Sequence, residues 1–200
     1  MTAFTKLGTD VADLAPHGVP LSQRPALRVE EVHAAHADFV FRSLSRLGVR
    51  DQDLPDMLQE VFMVVHRRAA SFDGSSKLTS WLFGICLRVA AGYRRRAHRR
   101  HERPLETDPQ SSDAHAAHQQ SPERAAQAAE ARRKLDAVLD TLPLDKRAVL
   151  VMFEIDALSC AEIASVLEVP LGTVHSRLHA ARAAFAQALK RMDARHARRP

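Results

Sequence analysis

The sequence predicts an all-α protein built from two small helical domains joined by a flexible linker. Apolar residues recur at three- and four-residue spacings through most of the chain, and the alternation typical of β-strands is nearly absent. Glycine and aromatic residues are scarce, with 7 glycines and 5% aromatics in 200 residues, which argues against a fold rich in strands and turns. One polar, proline-containing stretch interrupts the helical pattern and separates the two domains.

Charge and cysteine content limit the classes of function. The formal net charge is +5 at neutral pH, and arginines cluster at residues 94–103, so a polyanion is a candidate partner. Cys86 and Cys160 lie far apart in apolar helical contexts, which indicates reduced thiols in a cytosolic protein. The N-terminus lacks a signal-peptide pattern and no run of 18 apolar residues occurs, so we expect a cytoplasmic protein.

Three segments of the chain have no periodicity that would bury a face. The N-terminal tail, residues 1–26, is punctuated by proline and glycine, and residues 191–200 form a basic end. The linker, residues 104–121, is polar. Its 18 residues reach at most about 60 Å when extended and average about 25 Å as a coil. We therefore expect the two domains to move independently in the free protein.

The first domain, residues 27–103, is predicted to contain three helices. Gly48 ends the first helix, and acidic residues in the opening turn of the second complement its dipole. A polar loop precedes the third helix, which holds the only Trp and the only Tyr of the chain. The helices span about Leu27 to Leu47, Asp53 to Ala69 and Leu78 to Arg100.

The second domain, residues 122–190, ends in a predicted helix-turn-helix. Ser159 and Glu162 form a capping box that starts a short helix, and Pro170 suits the first turn of the next helix. That last helix has an apolar face at 4-3-4 spacing, formed by Val174, Leu178, Ala181 and Phe185. Its opposite face carries His175, Ser176, His179 and Arg182, with Arg177 at the edge.

A helix-turn-helix places its second helix in the major groove of duplex DNA. The alternative is a pair of ordinary amphipathic helices in a bundle. The turn position that often holds glycine is Glu168 in this chain, so the turn needs a costlier backbone or a different geometry.

Aromatic and cationic side chains occur together on the third helix of the first domain. Trp81, Arg88 and Arg95 recur every seven residues, so they share one helix face. Bases stack on aromatic rings with about 1–3 kcal/mol each while arginines neutralise phosphates, and this favours single-stranded nucleic acid as a ligand. The alternative is that Trp81 belongs to the core and the arginines form a solvated basic run.

Two sets of motifs resemble the extracytoplasmic-function sigma factors of bacterial RNA polymerase. The segment Asp56–Phe62 resembles the DLxQEVF signature of their region 2.2, and Ser80-Trp81-Leu82 with the basic run follows it in the family's order. The residues that resemble region 4 are Leu142-Pro143, Arg147, Ala161–Ala164 and Gly172–Leu178. The resemblance covers about residues 30–103 and 122–188.

The resemblance implies an alternative sigma factor that binds core RNA polymerase and directs promoter recognition and transcription initiation. The first domain would dock on the β′ coiled coil, and the second would meet the β flap. An anti-sigma protein is implied as a partner by the family alone. The residues implied to contact the polymerase are Asp56, Gln59 and Glu60.

The resemblance also divides promoter DNA between the domains. The first domain would melt the −10 element and hold its single strand, with the loop Phe72–Thr79 capturing an unstacked base. The residues implied there are Phe72, Ser80, Trp81, Arg88 and Arg95. The second domain would read the −35 element as duplex. His175, Ser176 and His179 would contact base edges, Arg177 and Arg182 would hold phosphates, and Thr173 would lie in the opening turn of the helix.

Two other functions fit parts of the sequence. One is a stand-alone helix-turn-helix regulator that binds duplex DNA as a dimer, although no coiled-coil heptads are visible. The other is an interaction protein that sequesters a transcription factor. No catalytic constellation, glycine-rich phosphate loop or metal-ligand spacing appears in the sequence. We therefore predict no enzymatic activity, no cofactor, no metal and no small-molecule substrate.

Overall fold

The computed structural model describes residues 27–101 and 122–196, and these two stretches are helical and contain no strand. This confirms the all-α prediction. The predicted N-terminal tail, the linker 104–121 and the last four residues of the basic end lie outside the described residues. The helices are α1 Val29–Arg46, α2 Leu54–Arg68, α3 Leu78–His101, α4 Pro122–Asp140, α5 Leu144–Glu154, α6 Cys160–Leu167 and α7 Leu171–His196.

Helices α1, α2 and α3 pack against one another and form the first domain. Leu44 and Phe83 are fully buried at its centre. The hydroxyl of Tyr93 on α3 donates a hydrogen bond of 2.7 Å to Asp53 Oδ2, which fixes α3 against the start of α2. Gly48 follows α1 with φ of 88°, a left-handed conformation that glycine adopts without steric cost.

The second domain is built around the contact between α5 and α7. Both halves of the predicted capping box at α6 are present. Ser159 Oγ accepts from the backbone N–H of Glu162 at 3.2 Å, and Glu162 Oε2 accepts from the backbone N–H of Ser159 at 2.8 Å. The last helix is longer than the sequence predicts: α7 continues through residues 191–196, part of the predicted basic tail.

The two domains pack against each other in the structure, and the independent movement expected from the linker in the free protein stays a prediction. Helix α6 packs on α3, and α4 contacts α1. One continuous cluster of buried residues runs through both domains, so the second domain covers apolar surface that the first domain would otherwise expose. The side chain of Arg147 is buried beside Gly48, where a Cβ atom would collide with its guanidinium.

Candidate nucleic-acid interface

Helix α7 presents a polar face to solvent over a buried apolar face. Val174, Leu178 and Ala181 are at most 4% exposed, whereas His175, Ser176 and His179 are exposed. This burial confirms most of the predicted inner face; Phe185 is only partly buried. The exposed side chains lie on consecutive turns of one helix side, which is the arrangement needed to reach neighbouring base pairs in a major groove.

The turn before α7 has the strained backbone conformation that was one of the two possibilities for a glutamate at this position. Glu168 has φ of 55° and ψ of 43°, the left-handed conformation in which glycine is favoured. The start of α7 is open, since a Cβ atom at Gly172 would have nothing within 4 Å. Thr173 lies half-buried next to it, and its carbonyl accepts the hydroxyl of Ser176 at 3.0 Å. The first turn of α7 can therefore be approached closely by a phosphate.

Arg177 and Arg182, expected as phosphate contacts, are both paired with carboxylates of α5. Arg177 Nε lies 3.6 Å from Asp145 Oδ2. Arg182 donates from Nε and Nη2 to one oxygen of Glu154, at 2.7 and 2.6 Å. Its guanidinium also lies over the ring of Phe153, 4.9 Å from the centroid. These contacts attach α7 to α5, and a phosphate would have to compete with them.

The loop between α2 and α3 brings two aromatic rings together at the start of α3. The ring centroids of Phe72 and Trp81 lie 5.2 Å apart with planes tilted by 52°, and both side chains are partly exposed. The loop itself is tightened by a hydrogen bond of 2.9 Å from the backbone N–H of Ser75 to Asp73 Oδ1. Trp81 therefore belongs neither to the deep core nor to a free surface, and a base could stack at its exposed part.

Ser80 is placed differently from the prediction that it contacts single-stranded DNA. It is 3% exposed and faces a cavity of about 170 Å³ between the domains, so DNA cannot reach it in this arrangement. Its Oγ and the Oδ2 of Asp156 are buried without a hydrogen-bond partner among the described residues. Burial raises the pKa of Asp156. The cavity lining consists of Phe39, Thr79, Ser80, Phe83, Asp156 and Leu158.

The two arginines predicted to continue the single-strand face, Arg88 and Arg95, are both exposed. Arg88 donates from Nη2 to Glu168 Oε1 at 2.9 Å, so its charge is engaged by the turn of the second domain. The sequence did not predict this pairing, because Arg88 and Glu168 belong to different domains and the sequence does not show how those domains pack together.

The outer face of α2 carries the three residues predicted to contact the polymerase. Asp56 and Gln59 are exposed, and Glu60 accepts a hydrogen bond of 3.0 Å from Arg96 Nη2 on α3. Met63 lies one helical turn beyond and is 55% exposed, the largest exposure among the described large apolar side chains. Helical periodicity predicts an outward position for Met63, but no motif in the sequence identifies it as a contact residue. An exposed methionine next to acidic residues is typical of a protein-binding surface.

No group of three or more His, Cys, Asp or Glu side chains among the described residues is arranged to hold a metal ion. Among the helices of residues 27–101 and 122–196, none is both long enough and apolar enough to cross a membrane.

Comparisons with known proteins match both domains in order. The Sigma-70 region 2 family model matches residues 32–100, and the Sigma-70 region 4 model matches residues 132–185. The chain is 33% identical over 155 residues to the ECF RNA polymerase sigma-E factor of Escherichia coli, covering 72% of this chain and 77% of that protein. It is 34% identical over 146 residues to the RNA polymerase sigma-H factor of Pseudomonas aeruginosa, covering 70% and 74%.

Two solved structures share the fold. One is CnrH in complex with the cytosolic domain of CnrY, with a TM-score of 0.56 and 23% identity over 81% of this chain and 87% of that chain. The other is the sigma factor RpoE of Bartonella quintana with the anti-sigma factor NepR, with a TM-score of 0.62 and 20% identity over 80% and 96%. The matched regions, their order and the sequence identity to the sigma-E factors show that this chain belongs to the extracytoplasmic-function sigma factors of bacterial RNA polymerase.

Proposed function

We propose that this alternative sigma factor divides promoter recognition between its two domains while α2 holds it on core RNA polymerase. The second domain reads the −35 element as duplex, and the first opens and holds the −10 element as single strand. The burial pattern of α7 carries the proposal, because His175, Ser176 and His179 are exposed while Val174, Leu178 and Ala181 on the opposite side are buried. A stand-alone regulator that binds as a dimer is not favoured, since the chain matches sigma region 2 as well as region 4.

For the −35 element, the exposed residues of α7 supply the base contacts. His175 and His179 present ring nitrogens that can each donate or accept one hydrogen bond, and Ser176 offers a hydroxyl oxygen. A histidine cannot form the two-pronged contact that arginine makes to guanine, so each residue discriminates weakly. Phosphate contacts fall to the open first turn of α7 around Thr173. Arg177 and Arg182 position the helix through their carboxylate partners on α5.

For the −10 element, the ring pair of Phe72 and Trp81 supports an unstacked base. The partly exposed rings offer an apolar surface at the end of the capture loop. Arg88 and Arg95 lie on later turns of α3 and neutralise phosphates of the strand that follows. Extruding a base costs a few kcal/mol, and stacking on these rings offsets part of that cost.

For the polymerase, α2 offers a small mixed surface. Asp56, Gln59 and Glu60 provide acidic and amide groups for the β′ coiled coil, and Met63 adds an apolar contact among them. The second domain meets the β flap. Because the chemistry of RNA synthesis lies in the core enzyme, the chain itself catalyses no reaction, and it works in the cytoplasm. An anti-sigma protein is a further proposed partner, since a sigma factor of the same fold was solved with one.

Transcription by reconstituted holoenzyme tests this assignment. Core polymerase with the chain should start at a discrete site on a promoter library, whereas core polymerase alone should not. His175→Ala or His179→Ala should relax the preference at one or two base pairs of the −35 element, by about 1–3 kcal/mol against the best site. Gln187→Ala, an exposed position further along α7, is the matched control and should leave the preference unchanged. A uniform loss of affinity in the histidine variants would show that they do not read bases.

A further inference from the structure

We propose that the free protein inhibits itself: carboxylates of the second domain pair with Arg88 of the −10 face and with Lys77 of the loop before it, and Glu168 is the residue that latches the domains together. The inference rests on the proposed function, because the covered face is the one assigned to the −10 strand. The polymerase surface on α2 stays exposed in the latched form, so core polymerase can bind before the domains separate.

The latch lies where α6 is packed on α3. Ser80, Gly84 and Arg88 follow one another at four-residue spacing and therefore share one side of α3. Val166 of α6 reaches this side at Gly84, where a Cβ atom would lie 3.5 Å from Val166 Cγ1. The absence of a side chain at Gly84 lets the two helices approach closely, and this approach brings the charged ends of α6 over the ends of the α3 stripe.

Among the described residues, three ion pairs join the domains, and in each the cation belongs to the first domain and the carboxylate to the second. Lys77 Nζ lies 3.1 Å from Glu162 Oε1, and Arg88 Nη2 lies 2.9 Å from Glu168 Oε1. A longer pair joins Arg46 Nη1 to Asp156 Oδ1 at 4.0 Å. A carboxylate accepts hydrogen bonds from the same donors as a phosphate, so at Lys77 and Arg88 the second domain occupies positions where DNA phosphates would bind.

Glu168 is the member of this set whose presence the local fold does not explain. Its left-handed backbone is one that glycine or asparagine adopts at lower cost, so a glutamate there destabilises the turn. Its side chain is 76% exposed and makes its ion pair with the first domain. A glycine at position 168 would avoid the backbone strain but could not form the ion pair with Arg88. Glu162, by contrast, also caps its own helix through Ser159.

The ion pair between Arg88 and Glu168 is weak enough for the two domains to separate and dock again reversibly. Arg88 and Glu168 are 55% and 76% exposed, and an exposed ion pair shifts an equilibrium by no more than about fivefold. Salt screens such pairs, so the latch should weaken as ionic strength rises. Core polymerase, which holds each domain separately, can therefore open it without unfolding either domain.

The distance between the domains tests the latch without reference to DNA. Fluorophores are attached at Gln52→Cys and Gln187→Cys, both exposed, in the full chain with Cys160→Ser; Cys86 is buried and stays unlabelled. Glu168→Arg and Arg88→Glu should each lower the transfer efficiency, because like charges then face each other. The double variant reverses the pair and should restore it. Unchanged efficiency in both single variants, or no restoration in the double variant, would overturn the latch.

Binding of a single-stranded −10 oligonucleotide by the free chain tests the inhibition. Glu168→Gly removes the carboxylate and relieves the left-handed strain, so the protein stays folded, and binding should strengthen about two- to fivefold. Ala157→Gly relieves the other left-handed non-glycine residue without changing charge and should leave binding unchanged. If Glu168→Gly opened the domains but binding did not strengthen, self-inhibition would be wrong. The proposed promoter recognition would be judged separately, by holoenzyme transcription.

Discussion

We predict that Arg182 positions the recognition helix and does not bind DNA. A variant at this residue tells the two roles apart. Its pair with Glu154 is 53% and 46% exposed, which corresponds to about 0.2–1 kcal/mol of folding free energy. The contact of its guanidinium with the Phe153 ring, 4.9 Å away, adds about 0.5–1 kcal/mol at an exposed site. Arg182→Ala should therefore lower the free energy of unfolding by about 1–2 kcal/mol, measured by urea denaturation of the full chain.

The second measurement is the salt dependence of holoenzyme binding to a −35 duplex. A lost phosphate contact would reduce the slope of log affinity against log salt by about one, whereas loss of a positioning contact leaves that slope unchanged. We expect an unchanged slope. Glu154→Ala is the matched control: it should cost similar stability and also leave the slope unchanged. The reasoning fails if Arg182→Ala keeps full stability and flattens the slope, and if Glu154→Ala tightens binding by releasing the arginine.

Two further predictions concern α2 and α6. Asp56→Arg combined with Glu60→Arg should abolish co-purification with core polymerase while the helical fold survives, since both side chains lie at the surface; normal co-purification would remove the assignment of α2. The pKa of Glu162 is lowered from its ordinary 4.5 to about 2, chiefly by the hydrogen bond from the Ser159 backbone. Its contribution to stability is thus present above pH 4.5 and lost as pH falls towards 2. Ser159→Ala should cost about 1 kcal/mol at neutral pH, because it removes the hydroxyl that caps α6. Glu162→Gln removes the titrating carboxylate and should make stability less dependent on pH between 4.5 and 2. An acid titration of stability in Glu162→Gln that matched the parent protein would contradict the capping role of the carboxylate.

Local features of the fold could be predicted because local physical chemistry determines them. The capping box of Ser159 and Glu162 spans only four residues, and both of its hydrogen bonds are present. The first helix was expected at about Leu27 to Leu47 and spans Val29–Arg46. The inner face of α7 followed from apolar spacing alone, with Val174 and Leu178 buried.

Pairings between distant residues could not be predicted in this way. Arg88 and Glu168 are 80 residues apart, and their bond depends on how the domains dock. Ser80 was predicted to lie on the single-strand face, but it is buried beside a cavity that Asp156 and Leu158 of the second domain also line. Arg182 lay on the polar side of α7, yet its partner on α5 is set by the packing of those two helices. Helical periodicity specifies which face is apolar, and it contains no information about which charged residue of another helix lies opposite.

The central claim, that the two domains carry separate steps of promoter recognition, is tested most directly with a promoter melted in advance across the −10 element. Holoenzymes with Trp81→Ala and His175→Ala are compared on this template and on the fully paired one, by transcript yield. Melting and major-groove reading are separate free-energy contributions, so pre-melting should restore part of the activity of Trp81→Ala and none of the −35 preference lost in His175→Ala. Thermal unfolding should show that Trp81→Ala, a partly exposed site, loses less than the about 3–5 kcal/mol typical of a fully buried aromatic. Equal rescue of both variants, or no rescue of Trp81→Ala, would contradict the division of roles.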